Sequence, residues 1–365
     1  MPTPPAWSGA RAMTACMVAA LLHTTGCDSV LGLDDLEVEP SAGGAGAGGS
    51  HAGSGGAGGA GGASVDACGA TPGESTKMAE KAIAPAAVAL GSERVFWTEA
   101  PASLVLLQSA TPCGENNFKE SSTTRSLLPY LAALGDNACW VTAFGDESTL
   151  QCGNKSAGGE FAGRTARSIG DVVLTVAGVF WAESPAGGPW RIMHASSPSL
   201  TGVASLYEAD PDVDILALGA SAEILVWTEH HGLDGAIVTS ELSATQLTPS
   251  RWLDAATQYD DVAATGQKIL ASNGKSAYAL DLEDPDLQGK VFTAPGDLRQ
   301  VAFSPTGEPF VLASDADGKW SVTDLSGAGN TAIVSGIDDA RGFAVGSDAI
   351  YYSSAMPSMV FRHAR

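Results

Sequence analysis

The sequence predicts an all-β fold, a β-propeller of seven four-stranded blades, on three observations. Short strands that end in an aromatic or apolar residue followed by a polar pair recur through residues 83–365. Their spacing of 39–46 residues matches one blade. The stretches between them are rich in β-branched and aromatic residues and broken by Gly, Pro, Asn and Asp, which excludes helical solenoids of similar period.

The second strand of each unit is the clearest. In order these strands are Val95-Phe96-Trp97-Thr98-Glu99, Ala138-Cys139-Trp140-Val141-Thr142, Val179-Phe180-Trp181-Ala182-Glu183 and Leu225-Val226-Trp227-Thr228-Glu229. Three weaker ones follow, Ile269-Leu270-Ala271-Ser272-Asn273, Val311-Leu312-Ala313-Ser314-Asp315 and Ile350-Tyr351-Tyr352-Ser353-Ser354. The anchor column is 97, 140, 181, 227, 271, 313 and 352, with spacings of 43, 41, 46, 44, 42 and 39. One such sheet cannot cover both its faces, so consecutive blades stack and the ring closes. First strands such as Val88-Ala89-Leu90, Leu131-Ala132-Ala133-Leu134 and Val262-Ala263-Ala264 are small and apolar, as crowding at the axis requires. The last unit has only three strands, about 342–345, 349–353 and 359–363, before the chain reaches Arg365. An unpaired outer edge is an aggregation liability, so residues 76–83 are expected to supply the fourth strand and clasp the ring. If the last unit is not a blade, the alternative is six.

The Trp-Thr-Glu units resemble the Tyr-Trp-Thr-Asp propeller repeat, whose rings have six blades. Val301-Ala302-Phe303-Ser304-Pro305-Thr306-Gly307 resembles the Val-Ala-Phe-Ser-Pro-Asp-Gly strand-turn of bacterial periplasmic and WD-type propellers. Both resemblances imply the fold. Neither implies an activity, since propellers host lyases, dehydrogenases and pure scaffolds.

The N-terminus reads as an address. Arg11 precedes an apolar run at 12–22, too short to span a bilayer and of signal-peptide length. It ends in Leu22-His23-Thr24-Thr25-Gly26-Cys27, which resembles the bacterial lipobox. That resemblance implies a signal peptide over 1–26, diacylation of Cys27 and anchoring to the inner or outer membrane of a cell envelope, periplasmic or surface-exposed. Thr24 stands where the pattern usually has Leu, so an ordinary secretory peptide with an incidental Cys27 is the alternative. Asp28, next to the lipid Cys, resembles an inner-membrane retention signal. Residues 41–63 are almost entirely Gly, Ala and Ser, which cannot bury a core, and 27–65 therefore reads as a flexible tether. Its accidental Gly-x-Gly-x-x-Gly matches have no strand before them and no helix after. The propeller body is 66–365.

With 19 Lys+Arg against 41 Asp+Glu, the formal charge is −22. That balance argues against nucleic acid and anionic membrane surfaces and favours cations, basic ligands or a protein partner. In a propeller, the loops leading into the first strands share a face with the hairpins between second and third strands. On that face the sequence places Asp171, Asp212 with Asp214, Asp260 with Asp261, Asp297, and Asp338 with Asp339. The fourth hairpin adds Glu229-His230-His231-Gly232-Leu233-Asp234. Such a face could hold a basic partner or a divalent cation. The plainer reading is that Asp favours turns and strand starts because its side chain binds nearby backbone N–H groups. Neighbouring His on a strand end point to opposite sides and rarely share one ion. Asp315-Ala316-Asp317-Gly318 resembles the opening of a calcium loop but lacks the later ligands, and Asn273-Gly274-Lys275-Ser276 resembles the end of a phosphate loop but lacks its first Gly. Both read as hairpin turns. No catalytic motif emerges. The leading expectation is a lipid-anchored binding or scaffolding module; the rival is a propeller enzyme, a metal-assisted lyase or hydrolase using the acidic, His-bearing face.

Four cysteines remain in the body. Cys139 and Cys152 lie in one hairpin whose centre falls between Gly145 and Asp146. A two-residue loop there makes Phe144 and Glu147 the first hydrogen-bonded pair, and alternation then makes Cys139 and Cys152 a non-hydrogen-bonded pair, about 4.5–5.5 Å apart at Cα. A four-residue loop would keep them opposite but switch the pair type. Cys68 and Cys113 are then expected to pair by elimination, fastening the tether's end to the first blade; four unpaired thiols are the alternative.

Overall fold

The computed structural model describes residues 66–79, 84–100, 105–114, 118–122, 126–154, 162–255, 257–284, 286–327 and 329–365. The expected signal peptide, Cys27 and the expected tether fall outside them. Among the described residues, 28 strands form seven antiparallel four-stranded sheets, and there is no helix. Blades 1 to 6 are continuous in sequence, at 85–122, 126–166, 168–208, 214–255, 261–293 and 298–337. Blade 7 joins the two ends of the body: Ala340–Val345, Ala349–Ala355 and Ser358–Ala364 come from the C-terminus, and the clasp strand Ser75–Ala79 completes it. The expected clasp is therefore present, with Ser75 opposite His363 and Ala79 opposite Val360. Residues 80–83 of the expected strand lie outside the described residues.

The core is a set of seven hydrophobic clusters, and each spans two adjacent blades. Strand alternation explains how one strand serves two interfaces. Phe96 packs towards blade 2, whereas its neighbour Trp97 packs towards blade 7. Phe180 and Trp181 divide in the same way between blades 4 and 2. Trp97, Trp140, Trp181 and Trp227 are fully buried, each on the face towards the preceding blade.

The register corrects one anchor. Trp97, Trp140, Trp181, Trp227, Ala271 and Tyr352 pair with Val88, Leu131, Val172, Leu218, Val262 and Phe343. The equivalent pair in blade 6 is Val301 with Val311, so Val311 holds the anchor position and not Ala313. A slip of two residues keeps the same face, which is why both side chains lie in the same inter-blade cluster.

The first strands are also stitched to one another. Asp171 accepts the N–H of Val172 in its own strand (2.8 Å) and that of Leu218 in blade 4 (2.9 Å). Asp261 does the same towards blade 6, accepting from Val301 at 2.7 Å. Gln300 exchanges two hydrogen bonds with the backbone of Phe343 in blade 7, at 2.9 and 3.0 Å. Ser353 of blade 7 then donates to the carbonyl of Ala86 in blade 1 at 2.6 Å. These side chains are buried and their polar atoms meet backbone partners, so they tie neighbouring blades at the axis.

Candidate functional site

The hairpin between the second and third strands and the loop into the first strand meet on one face of blade 4. Between them lies an open cleft of about 450 Å³. One wall is the loop Asp210, Pro211, Asp212 and Val213; the other is the hairpin, through His231 and Asp234. Glu229 and Arg251 line its floor. Gly235 lets the hairpin approach the next loop closely, since a Cβ there would stand only 2.3 Å from the Thr257 carbonyl oxygen.

Glu229 is buried and saturated with donors. Its Oε1 accepts from the Tyr207 hydroxyl (2.6 Å) and the Trp227 indole N–H (3.0 Å), and its Oε2 pairs with Arg251 at 2.9 Å. Burial, together with this bond to Glu229, pushes the Tyr207 hydroxyl well above the ordinary phenol range. The arrangement repeats. In blade 3, Glu183 accepts from Trp181 at 2.8 Å and receives Arg164 through two bonds, 2.7 and 2.6 Å. In blade 1, Glu99 accepts from Trp97 at 2.9 Å. Residues two apart in a strand share a face, so each Trp-x-Glu turns its carboxylate towards the preceding blade, where Tyr207 and Arg164 stand on the outer strands. The motif that announced the blades thus builds inter-blade polar bonds. Glu229 is the member that also borders the cleft.

The other residues expected on this face separate into three groups. Asp212, Asp234 and His231 are exposed and line the cleft with Glu229. Asp214 begins the first strand beside it, accepting the Trp190 indole N–H at 2.8 Å. His230 points the other way, buried, with Nε2 2.7 Å from the Tyr259 carbonyl; a carbonyl only accepts, so that nitrogen carries the proton. The second group is structural: Asp171 and Asp261 are buried fasteners at the axis. Burial pushes the Asp261 carboxyl well above the usual carboxylate range, against the opposing pull of the Val301 and Val262 N–H groups. Asp260, half-buried, joins its neighbouring strand through backbone, its N–H donating to the Ser272 carbonyl at 2.8 Å. The third group is engaged in ion pairs. Asp297 meets Lys275 at 3.2 Å, Asp338 meets Lys319, and Asp339 meets Arg341 at 2.6 Å and Arg299 at 3.7 Å. Burial and the nearby Arg341 charge push the Arg299 guanidinium down to about 10.

Asp210 and Arg251 escaped the sequence reading. Asp210 stands in Asp210-Pro211-Asp212, a turn signal that could have flagged it. Arg251 sits on an outer strand with no local signature, and only the folded register brings it to Glu229. Among the described residues, no three His, Cys, Asp or Glu side chains converge as a metal-binding group. The two weak motifs are turns: Asp315 accepts from the Asp317 and Lys319 N–H groups, and Asn273 from those of Lys275 and Ser276.

No family model matches this chain, and no curated protein matches it by sequence. Solved structures do match it. The β-propeller domain of Cps50 (Swd1) from Myceliophteria thermophila shares 12% identity at a TM-score of 0.56, covering 80% of this chain and 100% of that one. Virginiamycin B lyase from Staphylococcus aureus shares 10% identity at 0.57, covering 80% and 98%. The propeller domain of the Trilobed protease from Pyrococcus furiosus, described as having an open velcro topology, shares 11% at 0.55, covering 77% and 94%. At these identities the likeness is one of fold: this chain is a seven-bladed β-propeller.

Proposed function

We propose that this chain is a cell-envelope binding module, anchored through lipid on Cys27, whose blade 4 cleft receives a positively charged group of a protein or other basic ligand. One observation carries the reading. Asp210, Asp212 and Asp234 stand exposed around the cleft, and among the described residues no ion pair holds any of them, whereas Arg251 is already committed to Glu229. A concave site rimmed by uncompensated carboxylates favours a cation, and the charge of −22 favours its approach.

Chain direction supports the tethered part of the proposal. The clasp strand runs antiparallel to Ser358–Ala364, and the segment before it begins beside the C-terminal end of that strand, where Gly73 N–H donates to the Ala364 carbonyl. That end lies on the face opposite the second-to-third hairpins, so a tether entering there leaves the cleft facing away from its anchor. No observation on the described residues favours the rival reading of a metal-assisted lyase or hydrolase.

The test is calorimetric titration of the detergent-solubilised full chain with a short Lys/Arg-rich peptide. Binding that weakens at least tenfold in a variant carrying Asp210→Asn, Asp212→Asn and Asp234→Asn, and that weakens with salt, supports the cleft. Equal affinity for both proteins would overturn it. The anchor is tested separately: Cys27→Ser should abolish palmitate labelling and leave an unprocessed precursor, and unchanged labelling would remove the lipid from the proposal.

A further inference from the structure

The two disulfides differ in where they stand. Cys139 and Cys152 are fully buried inside blade 2. Cys113 is exposed and Cys68 half-buried, and their bridge crosses the seam where the ring closes. Cys68 precedes the clasp strand of blade 7, while Cys113 follows the third strand of blade 1. The bridge thus binds the last blade to the first.

The clasp's other holds are non-covalent. It makes four partner pairs with Ser358–Ala364, interrupted by a bulge at Met78. Ser75, Thr76 and Lys77 are exposed, and Met78 buries its side chain in the cluster of Trp97, Tyr351 and Val360. The loop that carries Cys113 lies directly on the clasp backbone, since a Cβ on Gly114 would stand 3.5 Å from the Met78 carbonyl oxygen. Ahead of the clasp, Asp66 accepts from the N–H groups of Cys68 and Ala70, both at 2.9 Å, and pairs with buried Arg362 at 2.5 Å. Cys68 is therefore held in place by the same turn that docks on blade 7. The bridge keeps the segment 66–79 from leaving even when its strand pairing opens.

We propose that Cys68–Cys113 is a reducible lock on ring closure. A dithiol reductant opens it by exchange: a thiolate attacks one cysteine sulfur, the S–S bond breaks, and the other cysteine leaves as thiolate. The second thiolate of the reductant then displaces the protein from the mixed disulfide. Two electrons and two protons pass to the protein, giving two thiols and a cyclic oxidised reductant. The buried bridge of blade 2 is shielded from this attack. Once the lock is open, the clasp exchanges on and off the edge of Ser358–Ala364 while the other blades stay folded.

The experiment uses the full chain under native conditions with graded dithiothreitol, maleimide trapping and peptide mapping, and hydrogen exchange on the same samples. Cys68 and Cys113 should label first, with Cys139 and Cys152 labelling only in denaturant. Amides of 75–79 and 359–364 should then exchange at least tenfold faster, with those of blades 3 to 5 unchanged. Simultaneous labelling of all four cysteines would overturn the proposal, as would clasp amides indifferent to reduction or a uniform rise in exchange across every blade. The double variant Cys68→Ser, Cys113→Ser should reproduce the reduced pattern without reductant. Should it fail to fold, reduction of the folded native chain still decides.

Discussion

Blade 2 and the closing seam are each fastened by a disulfide, and the two fastenings do opposite work. In blade 2 the bridge joins residues 13 apart that already face each other in a hairpin of eight partner pairs. At the seam the bridge joins residues 45 apart, and beside it the clasp makes four partner pairs. The hairpin would keep its register without its bridge, because neighbouring strands and the cores on both sides fix it. The clasp is the edge strand of its sheet, so its covalent hold adds what a second partner strand would. A ring can thus be stable through most of its circumference and conditional at one place.

The largest expected effect tests whether the seam is that conditional place. Deleting residues 66–79 removes the clasp, the Asp66–Arg362 pair and the bridge, and leaves Arg362 buried without Asp66. A loss of several kcal/mol should follow, lowering Tm by roughly 10 °C or more. Deleting 41–63 should leave Tm unchanged. Equal melting of the two deletions would break the comparison.

Next come the bridges themselves. Chain entropy assigns about 4 kcal/mol to a loop the size of the seam's and about 3 kcal/mol to one the size of the hairpin's. The pair Cys68→Ala, Cys113→Ala should therefore lower the denaturation midpoint more than Cys139→Val, Cys152→Val, in which apolar side chains replace a buried bridge. A larger loss from the blade 2 variant would mean that the hairpin depends on its cystine for packing.

A smaller effect lies at the axis, where blades are joined without covalent help. Asp261→Ala strands the Val301 N–H in a buried site and should cost about 1–3 kcal/mol. Asp261→Asn keeps an acceptor oxygen and should cost less. Raising the pH should also distinguish the two proteins. Burial raises the folded carboxyl's pKa, so the contribution of the protonated form is present at low pH and lost as pH rises from the ordinary carboxylate range through the raised value. The native chain should lose stability over that window, and Asp261→Asn should lose less. Parallel stability–pH curves would reject this account of Asp261.

The uneven legibility of the sequence follows the same division between local and distant. The Cys139–Cys152 register could be computed from a hairpin centre, because antiparallel partners share a constant sum; Phe144 does face Glu147, and the cysteines do pair, with a Cα separation of 4.1 Å, slightly below the expected range. The clasp and the Cys68–Cys113 bridge followed from an edge left open and from elimination. The anchor of blade 6 was displaced because Val311 and Ala313 are both apolar on one face, and nothing local separates a shift of two. The acidic face was the least legible part. An Asp before a strand looks the same in sequence whether it rims a cleft, as Asp212 does, binds the next blade's backbone, as Asp261 does, or meets a lysine, as Asp338 does. The choice is made by groups well away along the chain, 40 residues for Asp261 and Val301 and 19 for Asp338 and Lys319.

The smallest expected effect separates the seam from the rest of the ring by pH alone. His363 lies opposite Ser75 in the clasp pairing, with its Nδ1 2.7 Å from the Ser75 hydroxyl. Burial lowers the imidazole pKa below its ordinary value of about 6.5. The folded seam therefore binds fewer protons than the unfolded chain between the lowered pKa and 6.5, and stability rises with pH across that window. Above 6.5 the full contribution is present; as pH falls through the window it is lost. Asp66 adds a second step lower down: despite burial, the Ala70 N–H and the Arg362 guanidinium hold its carboxyl below the usual carboxylate range, so its contribution is lost only under more acidic conditions. Mild acid should consequently speed exchange of the clasp amides a few-fold before it affects blades 3 to 5. His363→Asn places a non-titrating polar group opposite Ser75 and should flatten the first step while leaving the second. If the first step persists in His363→Asn, another group controls the seam in mild acid, and the imidazole has no part in its closure.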